Sequence, residues 1–117
     1  MKELFKNEDF TQLDLYQDLA IKTAIYPNQN NNPYYPALGL GGEIGEILNK
    51  VKKMMRDGKT KEELQETIKG EIGDVMWYVA SLSYEFGLNL SDICSSNLNK
   101  LYDRKERGVL TGSGDNR

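Results

Sequence analysis

Leu38-Gly-Leu-Gly-Gly-Glu-Ile-Gly-Glu-Ile-Leu-Asn-Lys-Val-Lys-Lys-Met-Met-Arg56 contains no proline, and Leu40, Ile44, Ile47, Val51 and Met54 recur in it every three or four residues. That spacing returns an apolar side chain to one side of a helix with about 3.6 residues per turn, so the stretch predicts an amphipathic helix over 38–56. Gly58 stops it. On the far side Thr60 and Glu63 have the spacing of a capping box, which starts a third helix at about Lys61. An interruption is expected near Gly70, after which Ile72, Val75, Val79, Leu82 and Phe86 carry an apolar seam to Gly87, a left-handed cap.

The rest of the chain reads outward from this pair. Residues 10–25, with Phe10, Leu13, Ala20 and Ala24 at helical spacing, predict a first helix ended by Pro27. Residues 28–36 are rich in Asn and Pro and form a loop whose Tyr34 and Tyr35 either pack it down or line a pocket. Ser91 caps a fourth helix over 92–107, with Ile93, Cys94, Leu98 and Leu101 inward. The glycine-rich tail over 108–117 has too little apolar content to pack by itself and is expected to be mobile. No alternation of period two occurs. The expected fold is all-α, four helices in one domain spanning 1–117 with its core over 10–107.

Within the second and third helices one acidic unit occurs twice, Gly42-Glu43-Ile44-Gly45-Glu46-Ile47 and Gly70-Glu71-Ile72-Gly73-Asp74-Val75. In each unit the acids stand three residues apart and share a helical face, each just before a seam residue and therefore at the border of the core. If the helices pack antiparallel, four carboxylates converge on one cleft. Like charges so placed repel unless protonated or bridged by cations, and Mg²⁺, a hard ion that takes oxygen ligands, is the simplest remedy. Glycine inside a helix costs about 1 kcal/mol relative to alanine. Its presence beside the acids points to close approach, either of the two helices or of a triphosphate. Solvent-facing acid pairs are common on helices, but two matched units at one offset from the seam are not.

Bulk properties narrow the chemistry. The 117 residues contain no histidine and a single cysteine, Cys94. Ser-His and Cys-His nucleophiles and imidazole metal sites are thereby excluded, as is an internal disulfide. The net charge of −3 argues against a nucleic-acid polymer as partner. Neither a membrane span nor an apolar leader is present, so the cytoplasm is the expected compartment.

At these residues the sequence resembles the MazG-like nucleotide pyrophosphohydrolases of the all-α nucleoside triphosphate pyrophosphatase superfamily, whose signature is Glu-x-x-Glu, a spacer, then Glu-x-x-Asp. Here these are Glu43, Glu46, Glu71 and Asp74. The likeness continues through Lys52-Lys53, Gly73-Asp74-Val-Met-Trp-Tyr78 and Asn97-Leu-Asn-Lys100-Leu, and covers about residues 10–107. It implies a four-helix MazG-like bundle that hydrolyses a nucleoside triphosphate to monophosphate and pyrophosphate, cleaning the nucleotide pool. The four acids would bind Mg²⁺, with Mn²⁺ as a substitute, and either Glu43 or Glu46 would activate water. Tyr78, one turn after Asp74, matches an aromatic position against the nucleotide, although core packing explains it as well. Asn97 and Lys100 match nucleotide-facing positions and Arg104 continues that face, the alternative being a solvated helix surface. Lys50 and Lys53 pair with Glu46 along the helix. Family members form dimers or tetramers, so a homodimer or homotetramer is expected. The ending Gly112-Ser-Gly-Asp-Asn-Arg117 resembles phage-encoded members, for which the compartment is the host cytoplasm. A different class remains open, a non-catalytic helical module for nucleotide sensing or protein interaction.

Overall fold

The computed structural model of the chain describes residues 1–114 and 117. Among them a one-turn 3-10 helix, Asn7–Phe10, leads into α1 (Thr11–Ile21), followed by α2 (Tyr34–Asp57), α3 (Lys61–Glu85) and α4 (Leu90–Glu106), with no strand. The protein is all-α with four α-helices.

The link over 58–60 turns α3 back along α2, and these two long helices make the most extensive contact in the molecule. Gly58 takes φ 68°, the left-handed conformation that ends α2 and that side chains disfavour. Thr60 and Glu63 then form the expected capping box, each side chain accepting the other's backbone N–H. α3 runs through Gly70 without a break. Continuous packing along the hairpin outweighs the local cost of that glycine.

Other boundaries differ from expectation for identifiable reasons. α1 stops at Ile21, because Thr23 turns its hydroxyl back to the Ala20 carbonyl at 2.7 Å. α2 starts at Tyr34 rather than Leu38. Pro36 falls in the first turn, where its missing N–H is not needed, and the Asn32 side chain accepts the Tyr35 N–H at 3.2 Å. α4 starts at Leu90 with Asn89 at the N-cap, so Ser91 does not cap it. Its first amides are satisfied from α1 instead: Gln17 Oε1 accepts Leu90 N–H at 3.1 Å and Asp14 Oδ1 accepts Ser91 N–H at 2.9 Å.

The core is small and lies at the C-terminal half of α3. Ala20, Ala80 and Leu90 are buried there, with Leu13, Trp77, Val79 and Ile93 packed around them. Buried Gln17 ties the three helices together by donating Nε2 to the Ala80 and Leu88 carbonyls at 3.1 and 3.0 Å. The turn end of the hairpin, the second half of α2 with the first half of α3, projects beyond this core. The radius of gyration is 17.0 Å, against roughly 13 Å for a compact domain of similar length. Among the described residues no helix is long and apolar enough to cross a membrane.

Burial along the hairpin revises the expected seams. On α2 the inward positions are Leu40, Glu43, Ile47, Lys50 and Met54, and on α3 they are Leu64, Ile68, Glu71, Val75 and Tyr78. Glu43 and Glu71 therefore sit within the helix-helix interface, one register step further in than the border of the core. Ile44 and Val51, expected inward, are exposed together with Leu48 and Met55, at 64% and 82%, in a second stripe on the outer side of α2. Ile72 and Phe86 are exposed as well.

Candidate metal centre

Glu43 and Glu71 face each other from inward positions of the hairpin, and Asp74, one turn beyond Glu71, joins them from the exposed side. One carboxylate oxygen from each of the three lies within 4.8 Å of the others. Burial, a hydrogen bond with Glu71 and the charges of Asp74, Glu71 and Glu46 push the Glu43 carboxyl above its usual range. Two carboxylates can make such a hydrogen bond only by sharing a proton.

Glu46, the fourth acid of the repeated unit, is the most exposed in side chain of the pair it forms with Lys50, at 57% against 30%. The Lys50 ammonium lies 3.5 Å from Glu46 and 3.2 Å from Glu71. The hydrogen bond and charge of Glu71 raise Lys50 above its ordinary value, against the opposing effect of burial. Lys50 thus does more than pair along its own helix. It bridges both helices, pairing with Glu46 on one and Glu71 on the other.

Beside the acids a cleft of about 370 Å³ is lined by Thr23, Glu43, Asp74, Trp77 and Tyr78. Trp77 donates its indole N–H to Thr23 Oγ1 at 2.8 Å and meets Tyr78 edge to face, with ring centroids 5.1 Å apart. Tyr78 lies over Gly39, where an added Cβ would come within 2.2 Å of the ring. Burial, the neighbouring Tyr35 hydroxyl, and Glu43 and Asp74 raise the Tyr78 hydroxyl above its ordinary value. Burial and the charge of Asp74 do the same to Tyr16 on α1. Of the loop tyrosines, Tyr35 stacks on buried Tyr26 at 4.8 Å, while Tyr34 is exposed.

The hairpin therefore brings together Glu43, Glu71, Asp74 and Tyr78, with Glu46 attached through Lys50. Asn97, Lys100 and Arg104 lie on α4 and do not line this cleft. Asn97 is exposed, Lys100 half-buried, and Arg104 buried and engaged, so Arg104 is not on a solvated face. Sequence reasoning did not identify Gly39, Thr23 or Tyr16, and left Tyr35 between packing the loop down and lining a pocket. Gly39 is the glycine that a close approach requires; a Cβ at Gly42, Gly45, Gly70 or Gly73 would meet nothing within 4 Å. Those four glycines do not serve helix contact within the chain. In the tail, Arg117 turns onto the chain itself, donating to the carbonyls of Val109, Leu110 and Gly114; residues 115 and 116, part of the segment expected to be mobile, lie outside the described residues.

The site is thus an all-helical hairpin with a carboxylate cluster at its interface, which could hold a metal ion, and an aromatic cleft beside it. Residues 35–109 match the MazG nucleotide pyrophosphohydrolase domain, and the chain belongs to that family. It is 48% identical over 112 residues to the Gene 37 protein of Mycobacterium phage L5, an alignment covering 90% of this chain and 98% of the phage protein. No solved structure matches it.

Proposed function

We propose that the chain hydrolyses nucleoside triphosphates between the α and β phosphates, releasing a nucleoside monophosphate and pyrophosphate, with Mg²⁺ as working cation and Mn²⁺ as substitute. The observation that carries this reading is the convergence of Glu43, Glu71 and Asp74 within 4.8 Å in a member of a pyrophosphohydrolase family. Three hard oxygen donors at that separation, one of them a carboxyl pushed above its usual range by burial and its acidic neighbours, suit Mg²⁺. When bound there, the cation supplies charge neutralisation for the triphosphate and a water acidic enough to react at neutral pH.

The chain's own residues have separate tasks in this scheme. Glu43, Glu71 and Asp74 act as ligands, and Glu46 completes the set from the rim. Glu46, exposed and held only through Lys50, is better placed than Glu43 to orient the attacking water and take its proton. Tyr78 and Trp77 offer aromatic surface to the nucleoside beside the acids. Asn97 and Lys100 contact nucleotide only where α4 of a second copy approaches the cleft, with Arg104 acting behind them.

The outer stripe of α2, Ile44, Leu48, Val51 and Met55, supports a homodimer or homotetramer in which a second hairpin covers it. In the setting of the phage relative, the reaction would act on nucleotides of the host cytoplasm. Incubating the purified protein and Mg²⁺ with canonical and modified triphosphates tests the reading. Pyrophosphate release is expected from at least one, reduced about 100-fold or more by Glu46→Ala or Asp74→Ala. Absence of release from every triphosphate would overturn it and favour a binding module.

A further inference from the structure

Glu85 is the last residue of α3 and stands outside the repeated acidic unit. Its carboxylate accepts three hydrogen bonds from the segment joining α1 to α2. Oε2 takes the Tyr26 hydroxyl at 2.9 Å and the Asn30 N–H at 2.9 Å, and Oε1 takes the Asn32 N–H at 2.5 Å. Burial opposes its charge, but the amides of Asn32 and Asn30 and the Tyr26 hydroxyl outweigh it and hold the carboxyl below its usual range. The neighbouring Tyr84 hydroxyl donates to the Asn30 side chain. Within the clamped segment Asn28 and Asn30 take φ 56° and 80°, the left-handed region that asparagine tolerates better than most residues.

The tether leads to the cleft through rings. Tyr26, buried by the clamp, stacks nearly parallel on Tyr35, with an interplanar angle of 10°. Tyr35 stands one turn before Gly39 on α2, over which the Tyr78 ring lies, and Tyr78 lines the cleft with Glu43 and Asp74. Asn32, held by Glu85 through its N–H, also caps the first turn of α2 that carries Tyr35.

We infer that Glu85 is a positioning residue for the nucleotide: by clamping the segment over 26–32 it fixes Tyr35 against Tyr78, and so sets the aromatic wall beside the acids. This inference rests on the pyrophosphohydrolase reading. Glu85 touches no substrate; its effect passes through Tyr35. Loss of the clamp frees the wall without altering any metal-ligating group.

Trp77 is the only tryptophan of the chain and lines the same cleft, so its fluorescence reports binding apart from turnover. The probe is a non-hydrolysable α,β-imido triphosphate with Mg²⁺, its base chosen from the triphosphates hydrolysed or, if none is, tried across all of them. Wild type, Glu85→Ala, Tyr35→Phe and the double variant are titrated after circular dichroism confirms helix content. Each single variant is expected to bind about tenfold more weakly, and the double variant no worse than the weaker single, because both act on one wall. Glu85→Gln, which keeps size and one acceptor, recovers part of the loss and carries the test if the alanine variant does not fold. Unchanged affinity in the Glu85 variants, or losses that multiply in the double variant, overturns the role of Glu85 while wild-type binding leaves the pyrophosphohydrolase reading standing. Wild type that binds no analogue overturns both.

Discussion

Glu43 is where the chemistry of this protein meets its stability. Its carboxyl is pushed up by burial and by its acidic neighbours, so the folded state holds that proton more tightly than the unfolded chain does. Metal-free stability therefore falls as pH rises through the raised value, the reverse of a salt-bridged acid. Glu43→Gln removes the repelling charge. Melting curves at neutral pH should show the variant more stable than wild type without Mg²⁺, and without the rise in melting temperature that Mg²⁺ gives wild type. Gly39 makes a second residue-scale test. Alanine there places its Cβ against the Tyr78 ring, an overpacking that costs about 1–3 kcal/mol and turns the ring from the cleft. Thermal unfolding together with nucleotide titration should show both effects in Gly39→Ala and neither in Gly42→Ala, where the added Cβ meets open space.

At the scale of elements, the helices were legible wherever local chemistry decides them. Gly58, the Thr60 and Glu63 box and Gly87 act within one turn of themselves, and the structure has each as read. The start of α4 was not legible, because its first amides are capped by Gln17 and Asp14 from α1, more than 70 residues earlier in the chain. Gln17→Leu should therefore destabilise the fold by about 2–3 kcal/mol, since it strands the Leu90 N–H and leaves the Ala80 and Leu88 carbonyls without their donor. Chemical denaturation measures this directly, and a loss below about 0.5 kcal/mol would mean that water replaces the amide. The repeated acids were legible as a spacing, and the convergence of Glu43, Glu71 and Asp74 followed from helix periodicity once the hairpin was assumed. Their register was not. Counting only apolar residues set the seam on Ile44 and Val51, whereas the inward face itself includes Glu43, Lys50 and Glu71. Tyr35 was read without its partner and Gly39 escaped notice, because Tyr78 is distant in sequence and nothing local marks the contact.

For the whole molecule, an extended hairpin with a small core leaves large apolar side chains of α2 in water, Met55 and Leu48 among them. A second copy laid along α2 would cover them, and a stable interface of about 1,200–2,000 Å² is within reach of two such helices. Light scattering after size exclusion should give a multiple of the 13.3 kDa chain mass, and Leu48→Glu combined with Met55→Glu should shift it to the monomer. A wild-type monomer would instead mean that the stripe serves some other contact. The same assembly would decide whether Asn97 and Lys100 reach a cleft from a neighbouring α4. The central claim is chemical, however: the acids of one helical hairpin hold the cation needed to split a triphosphate at its α–β bond. Phosphorus NMR of the purified protein with Mg²⁺ and an accepted triphosphate tests it most directly. Monophosphate and pyrophosphate should accumulate in equal amounts, and neither should form with Glu71→Gln or when the cation is chelated. Diphosphate with orthophosphate, or undiminished turnover in Glu71→Gln, would contradict it.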